Sequence, residues 1–155
     1  MASGDVDGDG SADVVISAAA LGTLRNAYDR QGGAGAGPDN SRTNSGEMYV
    51  VFRRFERPVH IDLSGDPPAA LLVIYGAEGG GSSPDRLGEE VVLADVNGDG
   101  YADMFVGVPG DEGPLDRFFS GGIAIIAGGP DLPAEIDLRA PQVPVVWVQA
   151  PDPLD

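Results

Sequence analysis

A chain of 155 residues fits one domain or a piece of one, with room for a modest core. Its 25 acidic residues against 9 basic ones give a formal net charge of -16, which repels phosphate backbones and anionic membrane surfaces and so excludes nucleic acid and lipid head groups as natural partners. That much like charge also opposes a compact fold unless part of it is neutralised, a role that bound divalent cations fill well.

No cysteine is present, so neither a disulfide framework nor a thiolate metal site can form, and the redox compartment is not legible from this residue. The first twenty residues hold acidic side chains where a signal peptide needs a basic start and an apolar run, and no apolar stretch reaches membrane-spanning length. Export would require a signal that is not in this sequence, and no membrane insertion is expected. Gly 24 and Pro 13 approach the level at which disorder is considered, yet 42% hydrophobic content in short β-branched runs argues for many short strands joined by turns.

In chain order the apolar runs are Val14 to Ala20, Met48 to Phe52, Ala69 to Tyr75, Val91 to Ala94, Met104 to Val108, Ile123 to Ala127 and Val143 to Val148. Each has the length of a strand. Asp-Gly, Asn-Gly, Gly-Gly and Pro-Pro pairs separate them, and no segment keeps an apolar period of 3.6 over three turns, so the chain reads as all-β.

Internal repetition organises these runs. Asp-Val-Asp-Gly-Asp-Gly-Ser-Ala-Asp-Val-Val-Ile-Ser at Asp5 to Ser17 recurs as Asp-Val-Asn-Gly-Asp-Gly-Tyr-Ala-Asp-Met-Phe-Val-Gly at Asp95 to Gly107. Ser45 to Phe52 matches Ser120 to Ala127, and Ile61-Asp62-Leu63 matches Ile136-Asp137-Leu138, in the same order along the chain. The first copy is longer between Leu24 and Asn44, where Gly32-Gly33-Ala34-Gly35-Ala36-Gly37-Pro38 has the chemistry of a mobile linker. A further partial match aligns Ala70 to Ala77 with Val143 to Ala150.

The unit that emerges is strand, strand, Asp-rich loop, strand, strand, and four strands per unit describe a propeller blade. The expected organisation is a β-propeller fragment of about two four-stranded blades: a partial blade over 1–54, a complete blade over 69–128 and the start of the next over 143–155. Units that begin or stop within a sheet leave unpaired edges, so further blades or another chain are expected to complete the structure.

Asp5, Asp7, Asp9 and Asp13 occupy positions 1, 3, 5 and 9 of their loop, as do Asp95, Asn97, Asp99 and Asp103. Alternate spacing lets successive carboxylates converge on one cation, and Ca2+ accepts six to eight oxygens at flexible angles. Position 7, Ser11 or Tyr101, would add a backbone carbonyl, while Gly8, Gly10, Gly98 and Gly100 allow the turn conformations the loop needs. An all-oxygen donor set disfavours zinc. The EF-hand loop opens in the same way but requires Glu at position 12 and flanking helices, whereas position 12 here is Ile16 or Val106 within β-like flanks. The plain alternative is a metal-free Asp-Gly hairpin turn, against which two copies in register count. Of the two loops, 95–103 is expected to be the better ordered, because no strand is expected before Asp5.

Asp95 to Pro109, preceded by Asp85-Arg86-Leu87-Gly88 and followed by Gly121 to Ile126, resembles the FG-GAP repeat of integrin α-subunit propellers. In that family Phe-Gly and Gly-Ala-Pro turns pack together in each blade and calcium sits in the loop between the second and third strands. Here Leu87-Gly88 stands for Phe-Gly and Gly107-Val108-Pro109 for Gly-Ala-Pro, and the first copy has Ser17-Ala18-Ala19. The resemblance runs over nearly the whole chain. It implies a structural Ca2+ held by Asp5, Asp7, Asp9, Ser11 and Asp13, and another held by Asp95, Asn97, Asp99, Tyr101 and Asp103.

Catalysis finds little support. His60 is the only histidine, and no Ser lies in a G-x-S-x-G turn. Glu89-Glu90 before a strand reads as a solvated edge, and Trp147 and Tyr75, in matching strands, as packing residues. The expected function is therefore a calcium-stabilised, non-enzymatic module of the extracellular space or cell surface that recognises a protein or carbohydrate in adhesion, with its ligand site on loops over the propeller face. The alternative is an accessory propeller domain of a secreted hydrolase or lyase, such as a phospholipase or polysaccharide-degrading enzyme.

Overall fold

The computed structural model describes residues 1–18, 35–38, 41–52, 60–61, 71–80, 84–113 and 120–149. Their β-branched runs form eleven strands: β1 (Ala2–Gly4), β2 (Asp13–Ala18), β3 (Gly35–Ala36), β4 (Arg42–Thr43), β5 (Glu47–Val51), β6 (Leu71–Tyr75), β7 (Val91–Ala94), β8 (Asp103–Val108), β9 (Gly122–Ile126), β10 (Glu135–Asp137) and β11 (Val145–Gln149). The described residues contain no α-helix, which removes the EF-hand reading: strands flank both Asp-rich loops, and position 12 of each is spent on sheet packing.

Two sheets hold these strands. The first has the order β1-β2-β5-β6-β10 and the second β11-β9-β8-β7, with β3 and β4 paired separately. All neighbours are antiparallel except β10, which runs parallel to β6 with Ile136 opposite Ile74. One continuous core lies between the sheets. Val15, Met48, Val50, Leu72 and Ile74 meet Met104, Val106, Ala124 and Ile126 there, all fully buried. Alternation within each strand produces this face, since side chains two apart share a side of the sheet. Burial of so much branched aliphatic surface, at about 25 cal/mol per Å², is the main stabilising contribution. Two four- to five-stranded sheets packed face to face are consistent with adjacent blades of a propeller fragment.

Sheet membership departs from the unit boundaries expected from the repeats. Leu71–Tyr75 closes the first sheet against β5 and does not open the unit over 69–128, while Val145–Gln149 completes the second sheet against β9. The structural blade is thus offset by one strand from the sequence repeat, each of these runs pairing with the repeat strand that precedes it in the chain. The pairings also correct the alignment of Ala70 to Ala77 with Val143 to Ala150 by one residue. Val50 faces Leu72 and Ile125 faces Val146, so Leu72 corresponds to Val146. A strand does precede the first Asp-rich loop: β1 pairs with β2, Gly4 opposite Asp13.

Part of the glycine-rich stretch is also ordered differently from a linker, with Gly35 and Ala36 paired to Thr43 and Arg42. Residues 19–34 lie outside the described residues, as do Asp62 and Leu63 of the Ile-Asp-Leu match and residues 150–155. The segment between β9 and β11 returns to the first sheet. Besides the β10 ladder, Arg42 donates from Nη1 and Nη2 to the two carboxylate oxygens of Asp137, both at 2.5 Å, and from Nη1 to the carbonyl of Gly76 at 2.8 Å. Among the described residues no helix is long and apolar enough to cross a membrane.

Candidate metal centre

Each Asp-rich loop connects two antiparallel strands, β1 to β2 and β7 to β8, and both adopt one backbone design. The first carboxylate of each accepts from the amides of the glycines at positions 4 and 6. Gly8 and Gly10 donate to Asp5 Oδ1 and Oδ2 at 2.8 and 3.0 Å, and Gly98 and Gly100 to Asp95 Oδ1 and Oδ2 at 2.7 and 3.0 Å. The last carboxylate accepts from the amide at position 2, Val6 to Asp13 Oδ2 at 2.9 Å and Val96 to Asp103 Oδ2 at 3.2 Å. Short Asx-type bonds fill the middle, Asp9 N–H to Asp7, Ser11 N–H to Asp9, Asp99 N–H to Asn97 and Tyr101 N–H to Asp99. The four glycines hold φ between +75° and +93°, a left-handed conformation that explains why they recur. These bonds curl each loop back onto its first carboxylate.

In the first loop the curl brings three carboxylates together. One oxygen each from Asp5, Asp7 and Asp13 lie within 4.8 Å of one another, with Asp7 and Asp13 buried and Asp5 half-buried. Three unneutralised carboxylates at that separation repel strongly, more so where water is partly excluded, and an oxygen-coordinated divalent cation relieves the repulsion. The donor set is hard and all-oxygen, so it fits Ca2+ or Mg2+. Asp9 lies outside this trio, exposed and accepting from the Ser11 amide, and Ser11 is half-buried at the end of the turn.

The second loop is built alike but is more open. Asp95, Asn97 and Asp99 are exposed, Tyr101 is half-buried and Asp103 is buried. Asn97 takes the place of Asp7 and donates from Nδ2 to Asp99 Oδ2 at 2.8 Å, so a neutral amide replaces one carboxylate. Among the described residues the first loop alone gathers three acidic ligand atoms. The expectation that 95–103 is the better-ordered loop rested on the lack of a strand before Asp5, which β1 supplies, and the first loop is the more deeply packed of the two: Val6 and Asp7 are buried, while 95 to 100 are exposed throughout.

The second sheet supplies that cover. The Ala102 amide donates to the Asp5 carbonyl at 2.7 Å and the Gly129 amide to the Val6 carbonyl at 2.9 Å. Gly128 N–H also reaches Asp103 Oδ1 at 3.1 Å, tying the end of the second loop to the turn after β9.

The two turns singled out by sequence do meet. Leu87 is fully buried in the core, and the Gly88 amide donates to the Gly107 carbonyl at 3.0 Å. Ser17 Oγ donates to the Gly88 carbonyl, so the turn also bridges to the first sheet. Beside it sits Asp85, a residue to which sequence reasoning gave no role of its own. Its carboxylate is buried and accepts from the Glu78 amide at 2.7 Å; burial raises its pKa to about 6, with Asp111 and Glu78 adding repulsion and the amide bonds opposing. The signal was its place directly before Arg86-Leu87-Gly88, but nothing in spacing distinguishes a buried Asp from a solvated one. His60 is exposed.

No curated protein matches this chain. Residues 87–121, from the buried Leu87 through the second Asp-rich loop to the start of β9, match the family model described as FG-GAP repeat. The match covers the second copy, whereas the resemblance was expected to extend over nearly the whole chain. The first copy departs from the pattern at Ser17-Ala18 and in its long connection after β2. Within an all-β pair of sheets consistent with a propeller fragment, residues 87–121 are similar to an FG-GAP repeat.

Proposed function

We propose that this chain is a calcium-stabilised, integrin-α-like propeller module that serves extracellular adhesion or recognition and performs no catalysis. The observation that carries the cation reading is the convergence of Asp5, Asp7 and Asp13 oxygens within 4.8 Å in a loop whose backbone amides are already spent on holding the carboxylates in place. Asp9 and Ser11 stand beside that trio, and Asp95, Asn97, Asp99, Tyr101 and Asp103 form the second, weaker site. Bound Ca2+ supplies charge neutralisation and locks the loop between its two strands. Extracellular calcium is at millimolar levels, which suits loops with exposed ligands and modest affinity.

Thermal melting during a Ca2+ titration tests this reading. Saturation at ten times the dissociation constant stabilises by about 1.4 kcal/mol per site. Asp7→Asn is expected to weaken the response by removing one charge from the first trio, and Asn97→Asp to strengthen the second site by adding one. A melting temperature indifferent to millimolar Ca2+ in the wild-type chain would overturn the cation reading.

A further inference from the structure

Of the asparagines in the chain, Asn26, Asn40, Asn44 and Asn97, only Asn97 precedes a glycine. An asparagine in that setting is chemically labile. The amide nitrogen of the next residue can attack the side-chain carbonyl carbon, and glycine has no side chain to obstruct the ring that forms. In a folded chain the reaction also needs water and room to move, and the described positions differ sharply in both.

Asn97 and Gly98 are exposed, as is all of 95 to 100, and nothing lies within 4 Å of where a Cβ on Gly98 would stand. Asn44, the other described asparagine, has its Oδ1 buried, and the Ser45 that follows it is 0% exposed with its amide on the Arg42 carbonyl. Asp7-Gly8 in the first loop, which could close the same ring, is shut in: Asp7 is buried and Gly8 lies under the ring of Tyr101.

Hydrogen bonds in the second loop bear on each atom of the step. The Gly98 N–H, on the attacking nitrogen, donates to Asp95 Oδ1 at 2.7 Å, so a carboxylate stands where its proton must go. The Asp99 N–H donates to Asn97 Oδ1 at 2.9 Å, the oxygen on which negative charge develops, and polarises the carbonyl toward attack. Asn97 Nδ2, the departing nitrogen, donates to Asp99 Oδ2 at 2.8 Å. The first loop shows that a carboxylate is tolerated at this position. There Gly8 and Asp9 make the same two backbone bonds, to Asp5 Oδ1 and Asp7 Oδ1, at 2.8 and 3.2 Å.

We propose that Asn97 is a site of spontaneous deamidation, a modification that gives the second Asp-rich loop the charge pattern of the first. The Gly98 nitrogen loses its proton and bonds to Asn97 Cγ, the Cγ–Nδ2 bond breaks, and ammonia leaves with that proton. Water then opens the succinimide ring. Cleavage of the new bond to Cγ gives aspartate at position 97, whereas cleavage of the bond to the Asn97 backbone carbonyl carbon gives isoaspartate and routes the chain through the side chain. Either product adds a negative charge to a chain already at -16. The aspartyl form acquires the alternate acidic spacing of Asp5, Asp7 and Asp9, while the isoaspartyl form lengthens the backbone between Asp95 and Asp99 and disturbs the turn. No step involves a cation, so the inference stands apart from the calcium reading.

Incubation of the whole folded chain in mildly alkaline buffer without added divalent cation, with the fold followed by circular dichroism, tests it. Peptide mass spectrometry and methyl esterification by an isoaspartyl methyltransferase read the outcome. The expected result is loss of the amide from the peptide that carries Asn97, its replacement by two acidic products of equal mass, and later elution of the intact chain on anion exchange. The product that resists methyl esterification should coelute with the same peptide of Asn97→Asp. The Asn44 peptide is expected to keep its amide over the same period. Gly98→Ala is expected to slow the loss and Asn97→Gln to abolish it. An Asn97 amide that survives in the folded chain but is lost once the chain is unfolded in urea overturns the proposal, as does equal loss from Asn44. The readout is a covalent change, so its failure is distinguishable from a failure of the calcium reading, which is read by melting.

Discussion

The ring of Tyr101, in the second Asp-rich loop, lies directly over Gly8 in the first, so that a Cβ on Gly8 would stand 2.1 Å from Tyr101 Cε1. Two loops that sequence places far apart are therefore one packed unit, further joined by the Ala102 amide on the Asp5 carbonyl. Any change in the curl of the first loop is felt by the second sheet.

Substitution at the two equivalent glycines separates backbone strain from packing. Gly98→Ala meets open space and suffers only the left-handed φ of +79°, at about 1 kcal/mol. Gly8→Ala, at φ +75°, must in addition displace the Tyr101 ring, for a total of about 2–4 kcal/mol. Combining Gly8→Ala with Tyr101→Ala should bring the cost of the glycine change back toward that at Gly98, a coupling read by a double-mutant cycle in urea. Equal costs at both glycines would show that the ring does not press on the loop.

Asp85 sets a slope in acid. Its pKa is raised by burial to about 6, so the fold holds a proton that the unfolded chain releases near its ordinary value of 3.8. The folded state binds more protons between these values, and by linkage its contribution to stability is fully present below about pH 4 and is lost as pH rises to about 6. Asp85→Asn keeps an oxygen for the Glu78 amide and removes the titration. The melting temperature of the variant minus that of the wild type should therefore increase from pH 4 to pH 6 and level off above. A constant difference over that window would contradict the burial argument.

Arg42 and Asp137 fasten the crossover that brings β10 to the first sheet. Arg42 is buried and holds both Asp137 oxygens and the Gly76 carbonyl, whereas Asp137 keeps 20% of its side-chain surface exposed. Arg42→Met strands a partly buried carboxylate and is expected to cost about 2–3 kcal/mol, with Arg42→Lys intermediate because an ammonium cannot reproduce the two-pronged contact. The hydrogen bond from Arg42 holds the Asp137 carboxyl below its ordinary range despite partial burial. That contribution is present above about pH 4 and is lost as pH falls through the lowered value, so Arg42→Met should flatten the acid limb of the stability profile. An unaltered limb, measured by denaturant titration at several pH values, would sink this assignment.

Much of the local structure was legible in residue order. Short apolar runs of strand length located β2, β5, β6, β7, β8, β9 and β11 but not β1, β3, β4 or β10, and the recurring Asp/Asn-Gly loop located both turns, because turn chemistry and strand composition act within a few residues and leave their mark on spacing. The Leu87-Gly88 and Gly107 to Pro109 turns were recognisable from their residues and do bond to one another. Asp5, Asp7 and Asp13 were candidates on spacing alone, and they converge.

What residue order left open was decided by contacts between distant segments. Whether Leu71–Tyr75 closes one sheet or opens the next depends on which edge offers the better ladder, and a strand's own sequence is the same in either place. The same holds for Val6 and Val96, identical residues at identical loop positions, one sealed beneath the second sheet and the other in water. Local chemistry fixed the shape of each loop; burial, and with it the separation of a three-carboxylate cluster from an open loop, came from what the rest of the chain laid on top.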